Sequence, residues 1–396
     1  MKSTAGTECD TNGPSGGPAF DWDPRSEAVL NDQFQAYDHM RKTCPVAHSD
    51  YLGWSLFRHE DVLKALMDHE TFSNAASRHP SVPNGMDPPQ HTPYRRMIET
   101  YFTAERVDAF EPECRAIARE LVAGLQKGHS TEIISEFADP YAVRIQCAFL
   151  GWPASLHGPL RQWVRKNQEA TLARNTEAMA AIALEFDGYI RGQLNEREHA
   201  GSAAPDDITT SLLRQTVDGK PLDHDAIVSI LRNWTVGELG TIAACVGIVA
   251  DFLADRPELQ AELRRDIGRL LPAIDEILRL HAPLISNRRV ATKPVEIGGR
   301  RIAAGERITL IWASANRDEA AFDDAREFRL DRDPSQNLLY GAGIHVCPGA
   351  ALARMELRVV MEELLARTDH IAPIPGGGVR AIYPASGFAS LPLRIS

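Results

Sequence analysis

The chain has 396 residues, 43% of them hydrophobic, with a mean hydropathy of −0.27, so it is long and apolar enough to bury a substantial core. Its 54 acidic and 43 basic side chains leave a formal net charge of −11, which argues against nucleic acid or an anionic membrane surface as the main partner. The six cysteines are scattered without a CxxC pair, which predicts neither a disulfide framework nor a cysteine-rich zinc module and favours a cytoplasmic protein.

The N-terminal residues 1–19 are small and polar and contain no apolar stretch like that of a signal peptide, so we expect a disordered tail. We expect residues 20–396 to form a single domain. Apolar residues three and four positions apart predict helices, in chain order, within DVLKALMDHE, EPECRAIARELVAGLQ, LRQWVRKNQEATLAR, NTEAMAAIALEFDGYIRGQLNE, AIVSILRNWTVGELGTIAACVGIVADFLA and PELQAELRRDIGRLL. The apolar run 242–250 is about half the ~20 residues that span a bilayer, so we predict a buried core helix and no membrane anchor.

Strand signals are few and short. The segment VEIGGRRIAAGERITLIWA predicts a hairpin that turns near Gly298 and Gly299, and the C-terminal pieces GVRAIY and LPLRI predict further strands. Together these patterns predict a mainly α fold with small β-sheets beside a large helical body.

The segment 340–354, YGAGIHVCPGAALAR, places one cysteine among glycines. A zinc site needs about four ligands, and no second Cys/His pair lies at a useful spacing. A catalytic thiol needs a general base, which His345 cannot readily provide from two residues away in an extended segment. A buried structural cysteine leaves the flanking glycines unexplained, because glycine costs backbone entropy unless a close approach or an unusual φ requires it.

Haem iron accounts for all of these features. A cysteine thiolate is an axial ligand that donates charge to haem iron. Glycines permit close approach of the backbone to the macrocycle, and a helix that begins near Ala350 directs its positive dipole end towards the sulfur and favours the thiolate.

The loop closely resembles the cysteine-ligand loop of the cytochrome P450 superfamily. Tyr340 stands where the family usually has Phe, which retains an aromatic ring and adds a hydroxyl. The resemblance implies that Cys347 ligates the iron of haem b and that the cofactor site includes Tyr340, Gly341, His345 and Gly349.

A second family motif, E-x-x-R, is present as Glu276 and Arg279 in IDEILRLHAP. In isolation this spacing indicates an exposed helix pair worth a few tenths of a kcal/mol. The resemblance implies instead a buried structural pair that holds the region 316–318 and the segment FDDAREFRLDR.

Haem propionates require cations or strong donors. His91 and Arg95 lie four residues apart, on one face of a predicted helix that follows a Pro-Pro turn. The resemblance assigns propionate binding to positions of this kind, namely His91, Arg95, Arg289 and His345. A shift of one residue would substitute Arg96 or Arg288.

The segment WTVGELGTIAA lies where the family carries [A/G]-G-x-[D/E]-T. Alignment on the threonine makes Thr241 the alcohol that helps to deliver protons to dioxygen, with Gly240 in place of the usual acid and Glu238 one turn earlier. Glu238 then supplies the missing carboxylate, contacts a polar or cationic substrate group, or faces solvent. A shift by one residue would put Gly240 at the alcohol position and weaken the monooxygenase interpretation.

Family position also predicts the substrate pocket, although each of its residues is equally compatible with ordinary core packing. The segment SNAASRHPSVPNGMD, which would cover the substrate, is short, and this fits either a compact pocket or a more open mouth. The predicted pocket residues are Val236, Leu284, Ile285 and Phe388.

The resemblance implies a haem-thiolate monooxygenase that inserts one atom of O2 into a small apolar or aromatic molecule. No flavin or iron–sulfur pattern is present, so electrons must come from a separate ferredoxin or flavodoxin with its reductase. Candidate docking residues are Arg95 or Arg96, Arg354 and Arg358. The alternatives are a peroxide-driven or oxidative-coupling enzyme and a non-catalytic haem sensor.

Overall fold

The computed structural model describes residues 21–77, 81–173 and 175–396. The chain divides into two compact units. One, the sheet unit, comprises residues up to 78, 85–87 and 279–347; the other, the helical unit, comprises 79–84, 88–278 and 348–396. The predicted tail 1–19 lies outside the described residues, and the single domain over 20–396 stays a prediction.

The predicted periodic segments overlap α-helices, and the prediction of a mainly α fold with small sheets is confirmed. In chain order they are α1 (Glu27–Asn31), α2 (Gln33–Thr43), α3 (His59–Met67), α4 (His91–Glu99), α5 (Ala104–Ala123), α6 (Asp139–Leu150), α7 (His157–Ala173), α8 (Thr176–Ala200), α9 (Ile208–Leu213), α10 (His224–Ala254), α11 (Pro257–Arg265), α12 (Leu270–His281), α13 (Trp312–Ala315) and α14 (Ala350–Arg367).

The strands are short. They are β1 (Val46–Ser49), β2 (Gly53–Leu56), β3 (Phe72–Ser73), β4 (Ser130–Glu132), β5 (Thr216–Val217), β6 (Lys220–Pro221), β7 (Ser286–Ala291), β8 (Val295–Ile297), β9 (Arg300–Ile302), β10 (Arg307–Ile311), β11 (Ile371–Pro373), β12 (Val379–Arg380), β13 (Phe388–Ser390) and β14 (Pro392–Ile395). The largest sheet has the order β1-β2-β10-β7-β3, in which only the β2/β10 pair is parallel. The predicted hairpin is β8/β9, which turns at Gly298 and Gly299 with φ of 54° and 74°.

The sheet unit has a core of its own. Side chains of β2 and β10 pack with those of α3, α13 and the β8/β9 hairpin, and burial of this apolar surface stabilises the unit at about 25 cal/mol per Å². The members of this core include Trp54, Leu56, Val62, Leu66, Ile302, Ile308, Leu310, Trp312 and Leu338.

Helix α10 is the longest helix of the helical unit. It begins at an N-cap, Asp223, whose carboxylate accepts a hydrogen bond from the Ala226 amide at 2.7 Å. Among the described residues it is the one helix long and apolar enough to cross a bilayer, but 61% of its most apolar window is buried inside the protein. That burial agrees with the predicted core helix.

The cysteines differ from the expectation at one position, because Cys44 is disulfide-bonded. Cys114, Cys147 and Cys245 are buried thiols. The spacing of the cysteines in the sequence does not indicate which of them forms a disulfide.

Candidate active site

The cysteine loop of the sheet unit presents Cys347 with an exposed side chain. The Cys347 amide donates to the carbonyl oxygen of Tyr340 at 2.8 Å, and the Gly341 amide donates to that of Leu338 at 2.9 Å. Between them a 3-10 turn runs from Gly343 to His345. These backbone hydrogen bonds close the loop on itself and hold the cysteine at its end.

Two glycines of this loop are required by backbone geometry. Gly341 and Gly343 adopt φ of 77° and 70°, a region that L side chains rarely enter. A Cβ at Gly343 would also meet the carbonyl oxygen of Leu66, at the end of α3, at 2.2 Å. Close approach to a macrocycle is therefore not needed to explain Gly343. Gly349 has an ordinary φ of −85° and caps α14, so conformation does not explain glycine there.

The other thiols lack the chemistry of a ligand. Burial raises the pKa of Cys114 and of Cys147 to about 12, and it raises the pKa of Cys245 further. Only a thiolate ligates metal well, so these groups are inert. Within the described residues no three His, Cys, Asp or Glu side chains cluster as a metal site.

Arg289 is a buried cation that forms no ion pair with a described carboxylate. Strand β7 alternates so that Arg289 is 3% exposed, whereas Arg288 faces outward. Its Nη1 donates to the Arg288 carbonyl oxygen at 2.7 Å, and no described carboxylate lies within ion-pair distance. Burial lowers the pKa of Arg289 to about 10, although the charge of Asp87 opposes this shift. Such a buried guanidinium fits an anionic group of a bound ligand, as a haem propionate would be.

The other predicted propionate ligands occupy different environments. Helix α4 begins at His91, which is buried, while Arg95 forms an ion pair with Glu99 at 2.7 Å and Arg96 is exposed. In the cysteine loop His345 is half-buried, and its Nε2 is inaccessible to solvent. Burial thus favours Arg289 over Arg288 as the predicted propionate ligand. The charge of Arg95 is partly neutralised by its ion pair with Glu99.

Tyr340, at the predicted aromatic position of the loop, is half-buried. Its hydroxyl is inaccessible to solvent. The added hydroxyl is therefore shielded from solvent.

Arg279 and Glu276 are both buried on α12, which excludes the exposed helix pair. Arg279 donates from Nη1 to the carbonyl oxygens of Asn316 and Ala325, at 2.6 and 2.9 Å, and its guanidinium lies 4.8 Å from the centre of the Phe322 ring. These contacts hold two segments of the sheet unit that have no regular secondary structure.

The same asparagine extends this network to the cysteine loop. The Oδ1 of Asn316 accepts a hydrogen bond from the Leu338 amide at 2.8 Å, and the Leu338 carbonyl oxygen accepts one from Gly341. Arg279 is thus connected to the cysteine loop by a continuous chain of hydrogen bonds within the sheet unit.

In the helical unit, the middle of α10 has one face that is open among the described residues. Val236 is 43% exposed, and a Cβ at Gly237 or Gly240 would meet no described atom within 4 Å. Thr241, one turn after Gly237, is half-buried at the edge of this face. An apolar helix with an open face next to a hydroxyl is suited to bind a ligand.

Glu238 lies on α10 three residues before Thr241. It is half-buried, with Oε1 inaccessible, and its carboxyl group adjoins that of Glu356 on α14. Burial raises the pKa of Glu238, and burial together with the neighbouring Glu238 raises the pKa of Glu356 well above its usual range. Glu238 is therefore not fully exposed, and its role stays a prediction.

The predicted pocket residues separate into two kinds. Leu284 is 46% exposed, as Val236 is, and both are available to a ligand. Ile285 is buried and accepts a hydrogen bond from the Ala313 amide at 3.3 Å, while Phe388 lies under the Arg380 guanidinium at 4.1 Å. Ile285 and Phe388 are thus buried, and their place in the substrate pocket stays a prediction.

The short segment before the Pro-Pro turn is attached to α10. Ser229 Oγ accepts a hydrogen bond from the Val82 amide at 2.9 Å, Asn233 Nδ2 donates to the Val82 carbonyl oxygen at 3.0 Å, and Ser81 Oγ donates to Asn233 Oδ1 at 3.2 Å. Sequence reasoning missed Ser229 and Asn233. Their i,i+4 spacing on an apolar helix was the available signal.

Sequence reasoning also missed Glu356. The available signal was a glutamate nine residues after Cys347, on the apolar face of the helix that follows it. A carboxylate at such a position needs a partner, and its partner could not be identified without the fold.

Comparison with known proteins agrees with this arrangement. The family model "Cytochrome P450" matches residues 152–396. Cyclomarin C epoxidase CymV of Salinispora arenicola is 30% identical over 84% of this chain and 88% of its own, and erythromycin C-12 hydroxylase of Saccharopolyspora erythraea is 30% identical over 83% and 85%.

Solved structures show the same fold. The open form of cytochrome P450 EryK from S. erythraea superimposes with a TM-score of 0.85 at 27% identity, over 93% of this chain and 97% of that one. Ligand-free cytochrome P450 TbtJ1 has a TM-score of 0.84 at 30% identity, over 96% and 100%. The chain is a member of the cytochrome P450 family, and its activity is that of a cytochrome P450 monooxygenase.

Proposed function

We propose that this monooxygenase binds haem b and inserts one oxygen atom from O2 into a small apolar or aromatic substrate in the cytoplasm, by hydroxylation or O-dealkylation. The observation that carries the proposal is the exposed Cys347 at the end of a loop whose glycines have positive φ. Relatives named as an epoxidase and a hydroxylase support oxygen insertion as the reaction type.

Five residues are proposed as haem contacts. Cys347 would be the axial thiolate, Arg289 would neutralise one propionate, and His91, Arg95 and His345 would supply further donors. When bound, haem supplies the activation of O2 and the transfer of oxygen.

The residues of α10 would deliver protons to the reaction and exclude water from the site. Thr241 holds a hydroxyl at the edge of the open face, where it can accept and donate a proton in the same step. Glu238 lies three residues earlier and is half-buried. It would supply the carboxylate that the family usually has at the position of Gly240. Val236 and Leu284 would provide apolar contacts for the substrate.

Electrons would come from a separate ferredoxin or flavodoxin. Among the predicted docking residues, Arg354 pairs with Asp275 at 3.1 Å and Arg358 pairs with Glu111 at 2.6 Å. Arg96 is exposed and has no ion pair among the described residues, so it is the strongest candidate for an acidic partner.

Thr241→Ala should lower the product formed per NADH on the order of 100-fold, the low end of the contribution of a positioned proton-transfer group. Glu238→Gln should have an effect in the same direction. Turnover with hydrogen peroxide should change little, because peroxide already carries the required protons. Product and NADH are measured with ferredoxin and reductase, and then with peroxide alone.

The matched control is Thr235→Ala, which removes a buried hydroxyl on α10 that bonds to Gln146 and the Leu231 carbonyl oxygen. The second candidate function, a peroxide-driven enzyme, is favoured by Gly240 at the position of the usual acid. It is supported if Thr241→Ala leaves both assays unchanged, and in that case the monooxygenase proposal fails.

Asn233→Ala should release the segment that contains Ser81 and Val82 from α10, because two of its three hydrogen bonds to that helix disappear. We expect faster release of a bound substrate, with a dissociation rate several-fold higher and the association rate less affected, since loss of about 1–2 kcal/mol of hydrogen bonding acts mainly on dissociation. The rates are measured from the substrate-induced spin-state change in stopped flow.

The control for this variant is Asn195→Ala, an exposed position on α8. Equal dissociation rates in Asn233→Ala and the wild type would show that the segment does not cover the substrate.

A further inference from the structure

The β12/β13 hairpin packs on the C-terminal half of α10 at two glycines, one on each element. A Cβ at Gly387 of the hairpin would lie 3.4 Å from the carbonyl oxygen of Ala244. On α10, a Cβ at Gly247 would lie 4.0 Å from Cδ2 of the Phe388 ring and would clash with Cδ1 of Ile134 at 2.6 Å. The absence of side chains at both glycines thus lets the hairpin lie close to the helix.

A charged contact also joins the hairpin to α10. Nη2 of Arg380 lies 3.4 Å from Oδ2 of Asp251, and the Arg380 guanidinium carbon lies 4.1 Å from the centre of the Phe388 ring. Arg380 therefore contacts both the helix and a buried ring of its own hairpin. The two charged side chains are 56% and 27% exposed, so salt ions in the solvent can weaken this contact.

The α10 residues that contact the hairpin lie on the same face of the helix as its open part. Ala244, Gly247 and Asp251 are three and four residues apart. Ala244 lies three residues after Thr241 and seven residues after Gly237, where the face is open among the described residues. The hairpin thus covers this face from Ala244 onwards and ends the space along α10 one turn after Thr241.

The tip of the hairpin, residues 381–387, is closed by its own backbone. The Ala381 amide donates to the Gly387 carbonyl oxygen and the Ala385 amide donates to that of Ile382, both at 3.0 Å. The ladder between β12 and β13 has only two residue pairs, with a shift of register between them. Because an isolated two-stranded hairpin is at best marginally stable, the position of the tip depends on the contacts with α10.

We propose that Arg380 and Asp251 are positioning residues that hold the tip against α10 and thereby limit the length of the substrate that fits beside Thr241. The inference rests on the proposed monooxygenase function and adds a determinant of substrate size to it. With the contact intact, the site favours a compact apolar molecule; without it, the site admits a longer one. Both residues act through the position of the tip and not by touching the substrate.

Hydrogen exchange measured by mass spectrometry tests the contact without turnover. The amides of Ala381 and Ala385 report on the tip, within peptides that cover residues 379–390. In Asp251→Asn and in Arg380→Met these amides should exchange about two- to five-fold faster than in the wild type, the range expected for an exposed ion pair. Added salt should bring the wild type closer to the variants. Arg380→Lys keeps the charge and should recover part of the protection.

The matched controls remove one charge each from neighbouring exposed positions. They are Asp255→Asn, at the end of α10, and Arg394→Met, on β14. Both should leave exchange in the tip unchanged. Wild-type exchange in Asp251→Asn and Arg380→Met would show that the contact does not hold the tip, and the inference would fail.

Binding of two imidazoles of different size to the holoprotein tests the limit on substrate length. Imidazole and the much larger clotrimazole both bind haem iron through a ring nitrogen, and each shifts the Soret band. The ratio of the clotrimazole Kd to the imidazole Kd should fall about two- to five-fold in Asp251→Asn and Arg380→Met, and less in Arg380→Lys. It should stay at the wild-type value in both controls. A general loss of stability would weaken both ligands alike and leave the ratio unchanged.

The two experiments separate the ways in which the inference can fail. Faster exchange in the tip with an unchanged ratio of Kd values would overturn the limit on substrate length. A wild type that takes up no haem would contradict the proposed function and, with it, the limit on substrate length. The exchange experiment would still decide whether Arg380 and Asp251 hold the tip.

Discussion

Cys347→Ser should abolish the haem-thiolate spectrum of the protein. The hydroxyl of serine has a far higher pKa than a thiol and does not provide the thiolate that donates charge to iron. We expect the thiolate-specific band in the carbon monoxide difference spectrum of the reduced protein to disappear, with loss of most monooxygenase turnover. Haem content and the difference spectrum are measured on the same preparation.

Cys147→Ser and Cys245→Ser are the matched controls for this experiment. Both cysteines are buried thiols in helices, so their replacement tests loss of sulfur and core packing without changing the exposed cysteine. Each should keep the thiolate band. An unchanged Soret spectrum in Cys347→Ser, or a wild type that takes up no haem, would remove the basis of the proposed function.

Local sequence patterns were sufficient to predict the elements that carry the site. The apolar periodicity of α10 and the glycines of the β8/β9 turn are consequences of neighbours a few residues apart. The cysteine loop was equally evident, because a thiol flanked by glycines has few structural explanations.

Contacts between distant parts of the chain could not be predicted in this way. Gly343 lies against the carbonyl oxygen of Leu66, and the physical reason for its glycine is visible only when the loop packs on α3. Glu238 was correctly singled out as an expensive carboxylate in an apolar helix. Its partner Glu356 lies 118 positions later, and nothing in the spacing of the two residues connects them.

Arg279→Met should cause the largest loss of stability among the variants proposed for this protein. The arginine is 0% exposed and donates to the carbonyl oxygens of Asn316 and Ala325. Its removal leaves buried acceptors without donors and takes away a buried charge, a change that costs about 3–5 kcal/mol. We expect the urea midpoint to fall sharply, together with the haem content, because Asn316 also orders the cysteine loop through Leu338.

Three further variants separate the causes of that loss. Arg279→Lys keeps the charge but lacks the planar fork that reaches several carbonyl oxygens, so it should recover only part of the stability. If an uncompensated charge on Glu276 dominates, the double variant Glu276→Met with Arg279→Met should be more stable than Arg279→Met alone; if the carbonyl acceptors dominate, it should not be. Arg265→Met, at an exposed end of α11, should leave the midpoint within about 0.5 kcal/mol of the wild type. A wild-type midpoint in Arg279→Met would show that the hydrogen bonds of this buried arginine do not hold the cysteine loop in place.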